Sequence, residues 1–333
     1  MIVSGRIATG MGLIEASALD DWPDPEWLIN GVLIRSSIAS MTGSPGTYKS
    51  FLALDIALSI AGGIPWQGQD TRQAPTVYVA GEGRSGIRRR VQAWEIRHGR
   101  SADGCFILPS AVQLLEPGEV MDLCAAIDDL GIVPGLIVFD TQARMTVGME
   151  ENSAREGGVL VSVLDELRQR YGAAILVLHH VGRNGLMRGT TALPGALDTH
   201  LEVNKDDDRV IVSCGKQKEA EEFTPLNLIR RVVELDDEGA TSLIFDRDDS
   251  PAPVAVRPLT KTEQSALNAL NRIGGLATAS EWETACSEMG RATFYRAREA
   301  LVKSGKVARN GAGRGATYRP ESVSSDSCPR DGP

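Results

Sequence analysis

The feature that most constrains the fold is a glycine-rich turn between an apolar strand and a long apolar helix, within residues 40–63. Residues 43–50 read GSPGTYKS, close to the phosphate-binding consensus G-x-x-x-x-G-K-[ST]. In such a loop, small residues let backbone N–H groups curl around a polyphosphate, and the helix N-terminus adds a partial positive charge. A glycine-rich turn is often only a turn. The Lys-Ser pair at the right offset and the apolar helix after it favour a nucleotide-binding loop.

Within this loop, Lys49 is expected to contact the β- and γ-phosphates, and Ser50 to ligate Mg²⁺ through its hydroxyl. The consensus is not met in full, because Tyr48 stands where the second glycine is expected. A non-glycine residue fits there if it keeps an ordinary helical φ and its side chain points outward. The residues assigned to the nucleotide are Gly43, Ser44, Pro45, Gly46, Thr47, Tyr48, Lys49, Ser50 and Phe51.

Length and composition bound the class of protein. A chain of 333 residues can bury one good core and has room for a second small domain. The five cysteines are scattered without a C-x-x-C pair, which predicts reduced thiols rather than a zinc site. No basic-then-apolar leader opens the sequence, and no apolar run approaches the ~18 residues that a membrane span needs. We therefore expect a cytoplasmic protein with no membrane partner.

Two further apolar runs end in acidic residues. The run 76–80 is followed by Glu82, and the run 136–139 ends in Asp140. Short apolar runs bounded by turn residues predict buried parallel strands, whose C-terminal ends form the ligand-binding edge of an α/β sheet. Asp140 has the Walker-B layout and is expected to hold Mg²⁺. Glu82 is either the residue that polarises the attacking water or a solvated loop glutamate.

Strand and helix patterns alternate to about residue 198, which predicts an α/β core with a mostly parallel sheet and helices on both faces. The strand at 174–178 is followed by His179 and His180, and either could sense the γ-phosphate or be a structural histidine. Residues 182–198 form a glycine-rich loop. Lys216 and Lys218 are expected just past a later strand, where a surface charge pair is the plain interpretation.

The composition predicts five segments along the chain. They are an arm at 1–30, the α/β core at 31–250, a proline-rich linker at 251–260, a domain of three short helices and a hairpin at 261–320, and a disordered tail at 321–333. Residues 291–319 carry eight basic residues and one acid, Glu299. Clustered positive charge is an electrostatic footprint for a phosphate backbone, although it also suits docking on an acidic partner. The arginines assigned to DNA here are Arg291, Arg296, Arg298, Arg309 and Arg314.

The core resembles the RecA-like ATPases and, among them, the RepA-type hexameric replicative helicases with their phage and plasmid relatives. The order and spacing of the motifs match over about residues 27–230, and residues 261–320 separately resemble winged-helix DNA-binding domains. The motifs that carry the first resemblance are WLINGVLIRSSIASMTGSPGTYKSFLALDIALSIAGGIPWQG, VYVAGEGRSGIRRRVQAW, LIVFDT, ILVLHHVGR, RGTTALPGALDTHLEV and CGKQKEAEEFTPLNL.

This resemblance implies roles that the residues alone leave open. Glu82 is similar to the catalytic glutamate of the family, and His179 or His180 falls at the sensor position. The loop at 182–198, with Arg183 and Arg188, resembles the segment that lines the central channel and contacts single-stranded DNA. Lys216 and Lys218 resemble the paired basic residues that such proteins insert into the active site of the neighbouring subunit.

The resulting expectation is a DNA-associated motor that hydrolyses ATP with Mg²⁺. The resemblance implies a homo-oligomer, a hexamer, acting as a replicative helicase on single-stranded and duplex DNA in a bacterial cell, encoded by a phage or plasmid. The main alternative is a non-translocating regulator, in which ATP switches assembly on DNA, as in a replication initiator or a recombination mediator. A third alternative is a DNA-binding repressor with negligible turnover.

Overall fold

The computed structural model describes residues 15–16, 24–181, 189–206, 208–248, 260–287, 289–303, 306–311 and 315–320. The chain divides into two compact units, Met1–Ser250 and Pro251–Pro333. Each unit is held together by its own buried core. The proline-rich stretch expected to link them lies outside the described residues up to residue 259, as does the tail at 321–333.

The first unit alternates strands and helices, as its sequence pattern predicts. Its elements are β1 (Trp27–Ile29), β2 (Leu33–Ile34), β3 (Ile38–Gly43), α1 (Lys49–Gly62), β4 (Thr76–Ala80), α2 (Arg84–His98), β5 (Cys105–Leu108), α3 (Pro117–Asp129), β6 (Leu136–Asp140), α4 (Gln142–Met145), α5 (Ala154–Tyr171), β7 (Ala174–His180), α6 (Ala192–Ala196), β8 (Thr199–Asp206), β9 (Arg209–Gln217), β10 (Leu226–Glu234) and β11 (Thr241–Arg247).

Within the described residues, nine of these strands form one sheet in the order β11-β10-β9-β8-β3-β7-β6-β4-β5. The six strands from β8 to β5 in that order are parallel, and β9, β10 and β11 continue the sheet in antiparallel pairs. The predicted α/β class with a mostly parallel sheet is confirmed. Strand β7 lies between the strand that leads into the phosphate loop and the strand that ends in Asp140.

Both faces of the sheet are covered, which explains why its central strands are uniformly apolar. Helix α1 is buried nearly all round and packs on one face with residues such as Leu52 and Ile56. Helix α5 presents Leu160 and Leu164 to the other face, against Val177 of β7. Its N-terminus is capped by Ser153, whose hydroxyl accepts a hydrogen bond from the backbone N–H of Glu156.

Four boundaries differ from the sequence-based predictions. Within residues 182–198, predicted to form a loop, Ala192–Ala196 form α6. Trp27–Ile29, placed in an arm, form β1, and Leu28 and Ile29 are fully buried in the core because their apolar side chains pack under the sheet. Lys216, expected past a strand, lies within β9, which the structure extends to Gln217. Thr260, placed in the linker, caps the first helix of the second unit.

The second unit contains α7 (Lys261–Arg272), β12 (Ala277–Thr278), α8 (Ala279–Ala285), α9 (Arg291–Lys303), β13 (Val307–Asn310) and β14 (Thr317–Pro320). Its strands form an antiparallel sheet in the order β12-β14-β13. Trp282, Phe294 and Tyr318 meet in its core, and the indole N–H of Trp282 donates to the Ala266 carbonyl at 2.7 Å. The pattern predicts the three helices and the hairpin, and β12 is an addition. The winged-helix assignment stays a prediction.

Candidate active site

The phosphate loop joins β3 to α1 at the C-terminal edge of the parallel strands. Gly43 is required there, because a Cβ at this position would clash with the Val203 carbonyl oxygen and lie 2.7 Å from Thr47 Oγ1. The ammonium of Lys49 is buried and donates to the carbonyl oxygens of Gly43 at 2.9 Å and Ser44 at 3.0 Å. The loop therefore closes around a lysine at the N-terminus of a helix, which is the arrangement that binds polyphosphate.

Tyr48 adopts a left-handed backbone conformation, with φ 68° and ψ 20°. The expectation of an ordinary helical φ at this position is wrong. The residue keeps the conformation that the consensus glycine would have, and its side chain compensates for the strain. Its ring packs against Phe51 and Phe245, with ring centroids 6.0 Å and 5.4 Å away. Its hydroxyl accepts a hydrogen bond of 2.8 Å from Arg230.

Asp140 and Ser50 form the part of the site that suits a metal ion. Asp140 is almost fully buried, and its two carboxylate oxygens accept from Ser50 Oγ at 3.0 Å and from Tyr78 Oη at 2.7 Å. Burial raises the pKa of Asp140, and the hydrogen bonds from Tyr78 and Ser50 act in the opposite direction. One carboxylate and one hydroxyl, completed by phosphate oxygens and water, are the ligands that Mg²⁺ prefers in nucleotide sites. These residues therefore fit the ion.

Among the described residues no group of three or more His, Cys, Asp or Glu side chains is arranged to hold a metal. A nucleotide-dependent Mg²⁺ site does not need one, since the phosphates supply part of the coordination.

Glu82 lies two residues beyond the end of β4, and Ala80 at that end pairs with Asp140 in the neighbouring strand. Its Oε1 accepts hydrogen bonds from Thr141 Oγ1 at 3.2 Å and from Arg144 Nε at 3.3 Å. Burial lowers the pKa of Lys49, and the negative charges of Asp140 and Glu82 oppose that effect. The charge of Glu82 thus acts on both Lys49 and Asp140, and its role toward an attacking water stays a prediction.

His179 and His180 end β7 directly beside the phosphate-loop strand. In the sheet, His179 pairs with Thr42 and His180 pairs with Gly43. His179 is buried, and its Nδ1 lies 2.6 Å from the His180 carbonyl oxygen. The register therefore brings both histidines next to the strand that leads into the phosphate loop, and the sensor role stays a prediction.

Arg90 is a component of the site that sequence reasoning missed. Its guanidinium lies 4.1 Å above the Phe51 ring and beside Gly83, and its charge lowers the pKa of Asp140 against the larger opposite effect of burial. It is half-buried and makes no hydrogen bond or ion pair with the residues that the structure describes. Arg88, Arg89 and Arg90 are consecutive, and the sequence does not distinguish among them. Only the position of Arg90 on the helical turn of α2 brings its side chain to the site.

Lys216 and Lys218 are not part of this cluster. Lys218 N donates to the Asp198 carbonyl, and Asp198 N donates to the Ile38 carbonyl, so the pair lies where β3 begins. Lys218 Nζ forms an ion pair with Asp198 Oδ1 at 2.8 Å, and Lys216 Nζ donates to the Pro194 carbonyl at 3.1 Å. The phosphate loop follows the opposite end of the same strand, about 16 Å away at roughly 3.3 Å per residue.

The arginines assigned to DNA differ in their surroundings. Arg183, Arg188 and Arg314 lie outside the described residues. Arg298 stacks on Tyr295 at 4.6 Å and on Tyr318 at 5.2 Å, while Arg291 forms an ion pair with Glu283 at 3.2 Å. Arg296 and Arg309 are exposed on α9 and β13. Their contact with DNA stays a prediction.

Comparison with protein-family models gives a match to the AAA domain family AAA_25 over residues 13–185, which is more than half of the chain. The chain belongs to the AAA domain family. The matched segment contains the phosphate loop, Glu82 and Asp140. Together with the phosphate loop, this makes the first unit an AAA-type P-loop ATPase core, for which the family implies ATP-driven activity.

Among solved structures, a KaiC-like protein from the hyperthermophilic archaeon Pyrococcus horikoshii OT3 is similar to this AAA protein. It is 15% identical with a TM-score of 0.44, and the alignment covers 68% of this chain and 96% of that one. Comparison with curated proteins gives no match. No helix in the described part of the chain is both long and apolar enough to cross a membrane.

Proposed function

We propose that this AAA protein is an ATP-hydrolysing motor that assembles from identical subunits on DNA, in the manner of a hexameric replicative helicase of a phage, plasmid or other mobile element. The observation that carries the ATPase part is the cluster of Lys49, Ser50, Asp140 and Glu82 at one edge of the sheet. These four side chains supply a phosphate-binding cation, two metal ligands and a carboxylate for water, which are the parts that phosphoryl transfer requires.

Different residues of the site bind the nucleotide and assist its hydrolysis. Lys49 and the N–H groups of the loop hold the phosphates, and Ser50 and Asp140 hold Mg²⁺, which neutralises charge on the β- and γ-phosphates when bound. Glu82 orients the attacking water and polarises its O–H bond. Arg90 contacts a phosphate oxygen, since a half-buried guanidinium with no hydrogen bond or ion pair to the described residues gains most from an anionic ligand. His179 reports the presence of the γ-phosphate.

The oligomeric part of the proposal is supported by the position of the two lysines. Lys216 and Lys218 lie at the end of the parallel strands opposite to the phosphate loop of their own subunit. In a head-to-tail ring, opposite edges of neighbouring subunits face each other, so each lysine pair would approach the nucleotide of the next subunit. Positive charge supplied in this way can accelerate phosphoryl transfer by orders of magnitude. The ion pair between Lys218 and Asp198 would then open on assembly.

The DNA part of the proposal is supported by charge. Arg296 and Arg309 are exposed in a unit with its own core, and Arg298 lies against an aromatic pair, which favours contact with a phosphate backbone. In the first unit, the segment at 182–198 would contact single-stranded DNA.

The deciding experiment measures ATPase rate with and without single-stranded DNA, with mass by light scattering on the same samples. We expect a Mg²⁺-dependent rate that single-stranded DNA raises severalfold in an oligomer, and near-complete loss of turnover in Lys49→Ala. Wild-type turnover in Lys49→Ala would refute the loop assignment. DNA-stimulated ATPase without strand displacement would instead support the ATP-switched initiator or mediator, and negligible turnover under all conditions would support the repressor.

A further inference from the structure

One oxygen of the Glu82 carboxylate is held by two donors, and the other is not. Both donors belong to the segment that follows β6. Thr141 Oγ1 and Arg144 Nε each donate to Glu82 Oε1, at 3.2 Å and 3.3 Å. Glu82 Oε2 accepts no hydrogen bond from any residue that the structure describes. The carboxylate therefore has one fixed end and one end available to a ligand or a water.

The backbone holds this arrangement in place. The N–H of Gly81 donates to the Asp140 carbonyl at 2.7 Å, which ties the end of β4 to the end of β6. A Cβ on Gly81 would lie 2.8 Å from Arg144 Cβ and 3.0 Å from Met145 Cε, so only glycine lets α4 approach this closely. Thr141 is buried with 2% of its surface exposed, which limits the freedom of its hydroxyl.

A contribution to folding stability does not explain the ion pair between Arg144 and Glu82. The side chains of Arg144 and Glu82 are 61% and 36% exposed, and an ion pair in such a position contributes little to folding stability. The pair does, however, fix the direction of a carboxylate whose charge acts on both Lys49 and Asp140. Misplacement of a reacting group by about 1 Å can cost as much as 10²-fold in rate, so orientation is where this contact has its largest effect.

We propose that Thr141 and Arg144 are positioning residues for ATP hydrolysis, which fix Oε1 of Glu82 so that Oε2 faces the attacking water. The inference rests on the proposed function of Glu82. It assigns a task to the short helix α4, which follows the metal-binding strand and contributes no ligand of its own. Positioning predicts a loss of turnover without a loss of nucleotide affinity, because neither residue touches the phosphates.

The test compares Arg144→Met, which has no donor, and Thr141→Val with the conservative variants Arg144→Lys and Thr141→Ser. We expect kcat to fall about tenfold in each of the first two, with KM for ATP within about twofold of the wild type. The conservative variants, which keep a donor, should recover most of the rate. Arg88→Gln removes an exposed positive charge from the nearby helix α2 and serves as the charge control, with unchanged kcat.

The outcomes separate this inference from the function on which it rests. Wild-type turnover in Glu82→Gln would refute the role of Glu82 itself. An inactive Glu82→Gln combined with unchanged kcat in Arg144→Met would overturn the positioning role alone. A rise in kcat in Arg144→Met would also overturn it, since the arginine would then restrain Glu82 rather than assist it. If Thr141→Val does not fold, as shown by its thermal unfolding, the exposed Arg144 decides the question by itself.

Discussion

At the scale of single residues, Tyr48 shows how a phosphate loop can depart from its consensus and keep its geometry. A non-glycine residue in the left-handed region costs about 1–2 kcal/mol, so its side chain must supply at least that much. The contacts with Phe51, Phe245 and Arg230 do so by tying the loop to α1, β10 and β11. The loop therefore depends on the antiparallel end of the sheet, which a loop with glycine at this position would not require.

This account predicts an order of stabilities among Tyr48 variants. Tyr48→Ala loses the aromatic contacts and keeps the backbone strain, whereas Tyr48→Gly loses the same contacts and relieves the strain. We expect both to be less stable than the wild type and Tyr48→Gly to be more stable than Tyr48→Ala by about 1 kcal/mol in urea unfolding. An Ala variant as stable as the Gly variant would mean that the left-handed conformation is not maintained in solution.

At the scale of elements, the sequence predicts strands better than it predicts what meets at their ends. The runs 76–80 and 136–140 are strands because they are buried on both faces, and this burial leaves a readable apolar signal. Asp140 and Glu82 could therefore be found from position alone. Tyr78 and Arg144 could not, because their contacts depend on the register between strands some 60 residues apart. The sequence contains no local signal for that register.

The prediction at this scale concerns Asp55, which joins α1 to the loop that follows it and to α2. Its carboxylate accepts hydrogen bonds from the indole N–H groups of Trp66 at 2.9 Å and Trp94 at 3.1 Å, and from the Gln67 amide at 3.3 Å. Burial nevertheless raises the pKa of Asp55 to about 6, against 3.8 for an ordinary aspartate. The folded protein therefore binds this proton more tightly than the unfolded chain does.

The stabilising effect of this proton is fully present below pH 3.8 and is lost as the pH rises through about 6. Ionisation of Asp55 then costs the folded state at most about 3 kcal/mol. Burial lowers the pKa of the neighbouring His98, so the contribution of His98 to stability rises with pH and opposes that of Asp55. The effect of Asp55 must therefore be measured as the difference between a variant and the wild type. We expect the midpoint temperature of Asp55→Asn, relative to the wild type, to rise between about pH 4 and pH 7. A constant difference over this range would show that Asp55 does not titrate there.

At the scale of the whole molecule, the ATPase core has the groups proposed for catalysis at one end of its parallel strands and a lysine pair at the other end. Within one subunit Lys218 is paired with Asp198 at the end of β3 opposite the phosphate loop, so it cannot act on its own nucleotide in this arrangement. The proposed ring makes each active site a joint product of two subunits, with Glu82 from one and Lys218 from the next. Two different single substitutions should then inactivate the same interface from opposite sides.

Mixing the two variants tests whether each active site is formed by two neighbouring subunits. Lys218→Ala should bind ATP normally and turn over slowly, and Glu82→Gln should do the same. In a one-to-one mixture, an interface that pairs Glu82 of the first variant with Lys218 of the second is complete. If interfaces act independently, about a quarter of the wild-type rate should return, because a head-to-tail ring contains four interface types in equal numbers. Persistent inactivity at every ratio, although mixed oligomers form, would place the lysine within its own subunit's function.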